Sequence, residues 1–67
     1  MERLAKELYC RRKALGWTQD AMAARLSVHR TTYAKYETGT VDPPLDTLCR
    51  LADALGCTTD ALLGREE

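Results

Sequence analysis

Apolar residues near the start of the chain recur at the spacing of an α-helix. The leucines among them are separated by four and seven residues, which brings them to one side of a helix. Gly16 predicts the end of this helix, since glycine readily adopts the left-handed conformation that closes one. The predicted inward side consists of Leu4, Ala5, Leu8, Tyr9 and Leu15.

Two short helices are predicted next. Thr18 is a good N-cap for the second helix, and Asp20 lies in its first turn, where a carboxylate suits the helix dipole. After a tight break, a third helix extends from about Arg30 to Thr38, and Gly39 closes it. The inward residues of these two helices are Met22, Ala23, Leu26, Tyr33 and Tyr36.

The remaining pattern predicts two more helices after a connection at residues 40–44. The connection cannot be helical throughout, because a residue that precedes proline avoids the α region. A fourth helix ends at Gly56, and Thr58 caps a short last helix that ends near Gly64. The fourth helix carries Leu45, Leu48, Leu51, Ala52 and Leu55. No stretch alternates long enough for a strand, so the expected fold is all-α: a compact five-helix bundle.

The length of 67 residues predicts one domain over residues 1–67. An apolar content of 45% with 30% charged residues is typical of a globular protein. No apolar run approaches the roughly 18 residues of a membrane span, and the chain start does not resemble a secretory signal. We therefore expect a cytoplasmic protein without membrane association.

Charge is distributed unevenly along the chain although its sum is zero. Residues 1–35 hold eight basic and three acidic side chains, whereas residues 36–67 hold two basic and seven acidic ones. If the fold keeps these halves apart, one face is basic. Such a face attracts a polyanion through its local field, whatever the total charge.

Three cysteines and one histidine offer little chemistry for a metal or for catalysis. Cys10, Cys49 and Cys57 show no CxxC spacing, and His29 is the single histidine, so we expect no metal site. We expect the cysteines to be reduced and to fill the core. A Gly-rich phosphate loop and the volume for a buried cleft are also missing, so we expect no enzyme, no cofactor and no small-molecule ligand.

Two helices of about eight residues joined by a short turn form the helix-turn-helix pattern, here over about residues 18–38. The motifs that carry a family resemblance are Gly16-Trp17-Thr18-Gln19, then Val28 with Arg30, and Tyr36-Glu37 at the end of the third helix. In one register these motifs resemble the phage-repressor and Cro-type helix-turn-helix domain, also called the XRE family. The resemblance covers about residues 3 to 64 and implies a lambda-repressor-like bundle that binds double-stranded DNA.

The resemblance also implies roles for individual residues. Gln19 matches a glutamine that binds a phosphate and braces the third helix, and Arg12 and Glu37 match a partly buried ion pair. Helix 30–38 would enter the major groove, where guanine offers O6 and N7 to long donors such as Arg30 and Lys35. The predicted DNA-contacting residues are Thr18, Gln19, His29, Arg30, Thr31, Lys35 and Thr40. The predicted function is a sequence-specific transcriptional regulator, and specifically a repressor.

Two residues depart from the family pattern. Position 27 is often glycine in the family and is Ser27 here, and Asp42 lies where relatives often carry basic residues. An acidic second half with Asp42 keeps an alternative open: a protein-interaction module, such as an antitoxin-like or antirepressor-bound partner, with weak DNA binding.

We also expect a weak homodimer through the last helix, because the neighbours Leu62 and Leu63 cannot easily both face a core.

Overall fold

The computed structural model describes residues 2–65, and its regular elements are five α-helices. In chain order they are α1 (Glu2–Ala14), α2 (Gln19–Leu26), α3 (Arg30–Thr38), α4 (Leu45–Leu55) and α5 (Thr59–Leu63). The described chain contains no β-strand, and the predicted all-α, five-helix bundle is confirmed. Two acidic residues counted in the second half, Glu66 and Glu67, lie outside the described residues, as does Met1.

Side-chain caps begin two of the helices as the sequence predicts. The hydroxyls of Thr18 and Thr58 each accept a hydrogen bond of 3.0 Å, from the backbone N–H groups of Ala21 and Ala61 respectively. Such a cap satisfies an amide that has no partner within the helix. These two bonds fix where α2 and α5 start.

Helices α2 to α5 each end at a residue in the left-handed conformation. Three of these residues are glycines, but the residue that closes α2 is Ser27, with φ 58° and ψ 40°. Among residues 2–65, Ser27 is the only non-glycine residue with positive φ. Because a side chain is unfavourable in this conformation, α2 ends at a cost that a glycine would avoid.

The core lies where all five helices meet. Helix α1 packs against α3 and α5, α2 packs against α3 and α4, and α4 packs against α5. The fully buried side chains of largest volume are Tyr33, Leu4, Leu8, Met22, Leu51 and Leu62. The ring of Tyr33 meets that of Tyr36 edge to face, with centroids 6.3 Å apart, a favourable arrangement of two aromatic rings. Helix α3 is thus held from its inward side.

The two ends of the described chain lie close together. A Cβ atom added at Gly64 would come within 2.8 Å of the Cγ atom of Arg3. The first turn of α1 and the end of α5 are therefore neighbours, which agrees with the packing of α1 on α5. None of the helices between these ends has the length and apolar character that crossing a bilayer requires.

Several residues predicted to be inward are at the surface. Tyr9 is 50% exposed and Leu15 is 48% exposed, because the buried side of α1 is narrower than predicted and the helix ends before residue 15. Leu45 is 76% exposed at the first residue of α4. Cys10 and Cys49 are exposed free thiols, so the prediction that they fill the core is wrong. Helix phase explains Cys10, which lies opposite the buried side of α1.

The pair predicted as a dimer surface is not an exposed pair. Leu62 is fully buried, and Leu63 is half-buried and packs against the core. The short helix α5 packs against both α1 and α4, so more than one of its sides is covered within the chain. The interface based on Leu62 is therefore wrong, since this side chain is already covered within the chain.

We expect Ser27→Gly to stabilise the protein by about 0.5–1 kcal/mol. Glycine removes the strain of the left-handed conformation. Part of this stabilisation is lost because glycine increases the conformational entropy of the unfolded chain. Ser27→Ala is the matched control, since it removes the hydroxyl and keeps the Cβ atom, and it should not stabilise. Urea unfolding of the three proteins measures the effect. Equal midpoints for Ser27→Gly and Ser27→Ala would show that the backbone at residue 27 is unstrained.

Candidate nucleic-acid interface

Helix α3 presents one polar side to solvent. An α-helix turns about 100° per residue, so residues 30, 31, 34, 35 and 38 lie within one arc of its surface. Four of them are exposed and Ala34 is half-buried, whereas Tyr33 and Tyr36 on the other side are buried. The exposed members of this surface, which we call the outward face of α3, are Arg30, Thr31, Lys35 and Thr38. Two cations and two hydroxyls thus share one helix face.

Arg30 extends from the first residue of α3 and lies beside α2. Its Nε atom is 3.4 Å from Oδ1 of Asp20, and the two side chains are 59% and 78% exposed. A pair so exposed contributes at most about 1 kcal/mol to stability. The guanidinium therefore remains accessible to a ligand.

The start of α2 contributes two predicted contact residues. Thr18 is exposed, and its hydroxyl accepts the capping bond from Ala21. Gln19 is half-buried, and its Nε2 atom donates a 3.1 Å hydrogen bond to Oε1 of Glu37. This bond joins the first residue of α2 to the last turn of α3 and holds the Gln19 side chain in place.

His29 and Thr40 flank α3 at its two ends. His29 is the N-cap residue of α3 and is exposed, and its side chain makes no capping hydrogen bond. At the other end, the hydroxyls of Thr38 and Thr40 lie 2.8 Å apart, and Thr38 also donates to the backbone oxygen of Lys35. Both ends of the outward face of α3 therefore carry exposed polar side chains.

Glu37 is the centre of a buried polar cluster, which also includes Arg12, Gln19 and Tyr33. The Nε and Nη2 atoms of Arg12 donate to the two carboxylate oxygens of Glu37 at 2.6 and 3.1 Å. The Tyr33 hydroxyl donates to the same carboxylate, and Arg12 Nη1 donates to the backbone oxygen of Trp17 at 2.7 Å. The side chains of Arg12 and Glu37 are only 8% and 3% exposed. One carboxylate thus links α1, α2 and α3.

The cluster changes the acid–base properties of its members. Burial raises the pKa of the Glu37 carboxyl, but hydrogen bonds from Arg12, Tyr33 and Gln19 outweigh burial, so the pKa lies below its ordinary value. The hydrogen bond to Glu37 raises the pKa of Arg12. Burial, and then the bond to Glu37, raises the pKa of Tyr33. Glu37 is therefore charged at neutral pH, and its charge is compensated.

The outward face of α3 is suited to contact a surface. This face carries two long donors, two hydroxyls and the small side chain of Ala34. The DNA major groove is wide enough to admit one α-helix, so a helix with such a face fits it. The seven predicted contact residues all lie in or beside α2 and α3 (Thr18, Gln19, His29, Arg30, Thr31, Lys35 and Thr40). No cluster of metal-binding side chains occurs in residues 2–65.

Two features of this interface were missed from the sequence. Thr38 belongs to the outward face, and its spacing of eight residues from Arg30 is the signal that could have shown it. The Tyr33–Glu37 bond was also missed, although the residues are four apart on one helix. The sequence pattern predicts Tyr33 as a core residue, and its hydroxyl gives no separate signal.

Comparison with known proteins gives one family and several regulators. A family model described as helix-turn-helix matches residues 10–62. The chain is 42% identical over 64 residues to the cryptic phage CTXphi transcriptional repressor RstR of Vibrio cholerae. It is 45% identical over 62 residues to a regulator of Bacillus subtilis named SPbeta prophage-derived uncharacterized HTH-type transcriptional regulator YonR. It is 36% identical over 64 residues to the HTH-type transcriptional regulator ImmR of the same organism.

These alignments cover nearly all of this chain and about half of each relative. The matched segments are 96%, 92% and 96% of this chain, but 54%, 54% and 50% of the respective relatives. The chain therefore spans about half the length of the curated relatives it matches. No solved structure gives a significant match.

We expect stability to fall as the pH drops below the ordinary Glu37 pKa of 4.5. A carboxyl whose pKa is lower in the folded protein contributes its full stabilisation above the unfolded pKa and loses it as the pH falls towards the folded pKa. Urea unfolding between pH 7 and pH 3 measures this loss. The control carries Arg12→Met and Glu37→Leu together, so that neither charge is left buried alone. This variant should depend less steeply on pH below 4.5, and an unchanged dependence would contradict the assignment to Glu37.

Proposed function

The chain belongs to the phage-repressor and Cro-type (XRE) helix-turn-helix family, and from this premise we propose that it is a sequence-specific transcriptional regulator. It binds double-stranded DNA, and it acts as a repressor by occupying an operator, without catalysis. One observation carries the proposal: Arg30, Thr31 and Lys35 are exposed together on the outward face of α3. The regulatory names of the relatives support it.

In the proposed complex, α3 enters the major groove. Arg30 and Lys35 donate to guanine O6 and N7 or to neighbouring phosphates, and Thr31 contacts a base edge. Gln19, held by Glu37 at 3.1 Å, contacts a phosphate and fixes the position of the protein on the duplex. Thr18, His29 and Thr40 contact the DNA backbone around the helix. We further propose that residues 1–67 form one domain and that it acts in the cytoplasm.

A second candidate is a protein-interaction module with weak DNA binding, such as an antitoxin-like or antirepressor-bound partner. Asp42 favours it, because it is exposed in the connection after α3. A carboxylate beside a phosphate backbone weakens binding. The two candidates differ in whether the outward face of α3 binds DNA, so substitutions on that face separate them.

We expect Arg30→Ala with Lys35→Ala to weaken operator binding by about 100-fold or more, since each good base contact contributes about 1–3 kcal/mol. The operator is first selected from random duplexes at a stated salt concentration, and affinity is then measured by fluorescence anisotropy. The control is Lys6→Ala with Lys13→Ala, which removes two exposed cations from α1. Circular dichroism and urea unfolding check that both variants are folded. Equal effects of the two double variants, or no selected sequence, would favour the interaction module.

We expect a homodimer on DNA, because one recognition helix reads only a few base pairs and specific regulators of this kind bind paired half-sites. Leu62 takes no part in the interface, since it is buried in the core. Sedimentation velocity over a range of concentrations, with and without the selected duplex, measures the mass. A single protomer per duplex at every concentration, together with a selected site that lacks twofold symmetry, would exclude the dimer.

A further inference from the structure

We infer that Asp20 is a specificity-determining residue that acts on Arg30 through its charge, an inference that rests on the proposed function. Asp20 is the second residue of α2, and Arg30 is the first residue of α3. Their contact crosses the turn of the helix-turn-helix at the edge of the outward face of α3. The carboxylate therefore lies where α3 would meet a duplex.

The contact engages one side of the guanidinium. Asp20 Oδ1 lies 3.4 Å from Arg30 Nε. Within residues 2–65, the two terminal nitrogens of Arg30 have no hydrogen-bond partner. These terminal nitrogens are therefore available to the paired acceptors O6 and N7 of guanine. Asp20 and Arg30 lie at ion-pair distance, so the carboxylate acts on the guanidinium through its charge.

The negative charge of Asp20 acts against other ligands of Arg30. Because the Asp20 carboxylate compensates part of the guanidinium charge, Arg30 binds a phosphate of the DNA backbone less strongly, irrespective of sequence. The carboxylate weakens the contact with the guanine edge less, because that edge is neutral. Asp20 therefore increases the ratio of specific to non-specific affinity through a repulsive element, a common way to obtain specificity.

Fold stability does not explain the pair. Both side chains are mostly exposed, and an exposed ion pair contributes little to stability. The helix dipole explains why a carboxylate is favourable in the first turn, but it applies equally to Asp60 in α5. The caps are also the same, since Thr18 precedes Asp20 by two residues and Thr58 precedes Asp60 by two residues. The contact with Arg30 distinguishes Asp20 from its counterpart.

The test is a double-mutant cycle with Asp20→Asn, Arg30→Ala and both together. Affinity is measured by fluorescence anisotropy for the selected duplex, for a duplex with the guanine contacted by Arg30 replaced, and for an unrelated duplex. Asp60→Asn is the matched control, since it loses the same charge at the same helix position. We expect Asp20→Asn to bind the unrelated duplex more tightly and to lower the specificity ratio about tenfold, within the range of one base contact. In the Arg30→Ala background the specificity ratio should not change further.

The outcomes separate this inference from the proposed function. Sequence-specific binding by the wild type with an unchanged ratio for Asp20→Asn overturns the inference alone. An equal effect of Asp20→Asn with and without Arg30 also overturns it, because the carboxylate would then act on the duplex directly. An equal effect of Asp60→Asn overturns it as well, because the total charge would then be responsible. If the wild type binds no duplex, both the inference and the proposed function fail.

Discussion

The arrangement of the helices depends on the hydrogen bonds that the buried carboxylate of Glu37 accepts. The carboxylate accepts them from Arg12 in α1, Gln19 in α2 and Tyr33 in its own helix. A charge taken out of water is costly unless it is paired and hydrogen-bonded, so these donors must stay in place while the protein is folded. The hydrophobic core drives the helices together, and the hydrogen bonds of the carboxylate join α1, α2 and α3 in this arrangement.

This arrangement connects the interior with the proposed DNA-binding surface. Glu37 lies at the end of α3 and faces inward, whereas Lys35 and Thr38 beside it are exposed. Gln19 joins the two environments, since it donates to Glu37 and is only half-buried. The buried cluster therefore determines the position of the outward face of α3. A change inside the cluster would shift the surface side chains without touching them.

Local signals in the sequence predicted the helices well. Threonine caps and glycine stops are determined by neighbouring residues, and α3 and α4 have the predicted bounds (Arg30–Thr38 and Leu45–Leu55). Burial was less predictable. Leu45 and Cys10 have side chains that suit a core, but their exposure depends on which helices are close by. Leu62 and Leu63, which the sequence places at a surface, show the opposite error. Packing against two helices buries Leu62 fully and Leu63 in part. The roles of the surface residues come from the family resemblance, because exposed Arg and Lys give no such signal themselves.

The proximity of Arg3 and Gly64 has a practical consequence for protein engineering. Because the beginning of α1 and the end of α5 are neighbours, a short linker could join them, and new termini could be opened in the connection between α3 and α4. Such a circular permutant would keep all five helices and their caps, since the connection at residues 40–43 contains no helix. It would also separate the contribution of chain order from that of side-chain packing, because the contacts would stay the same while their loop lengths changed.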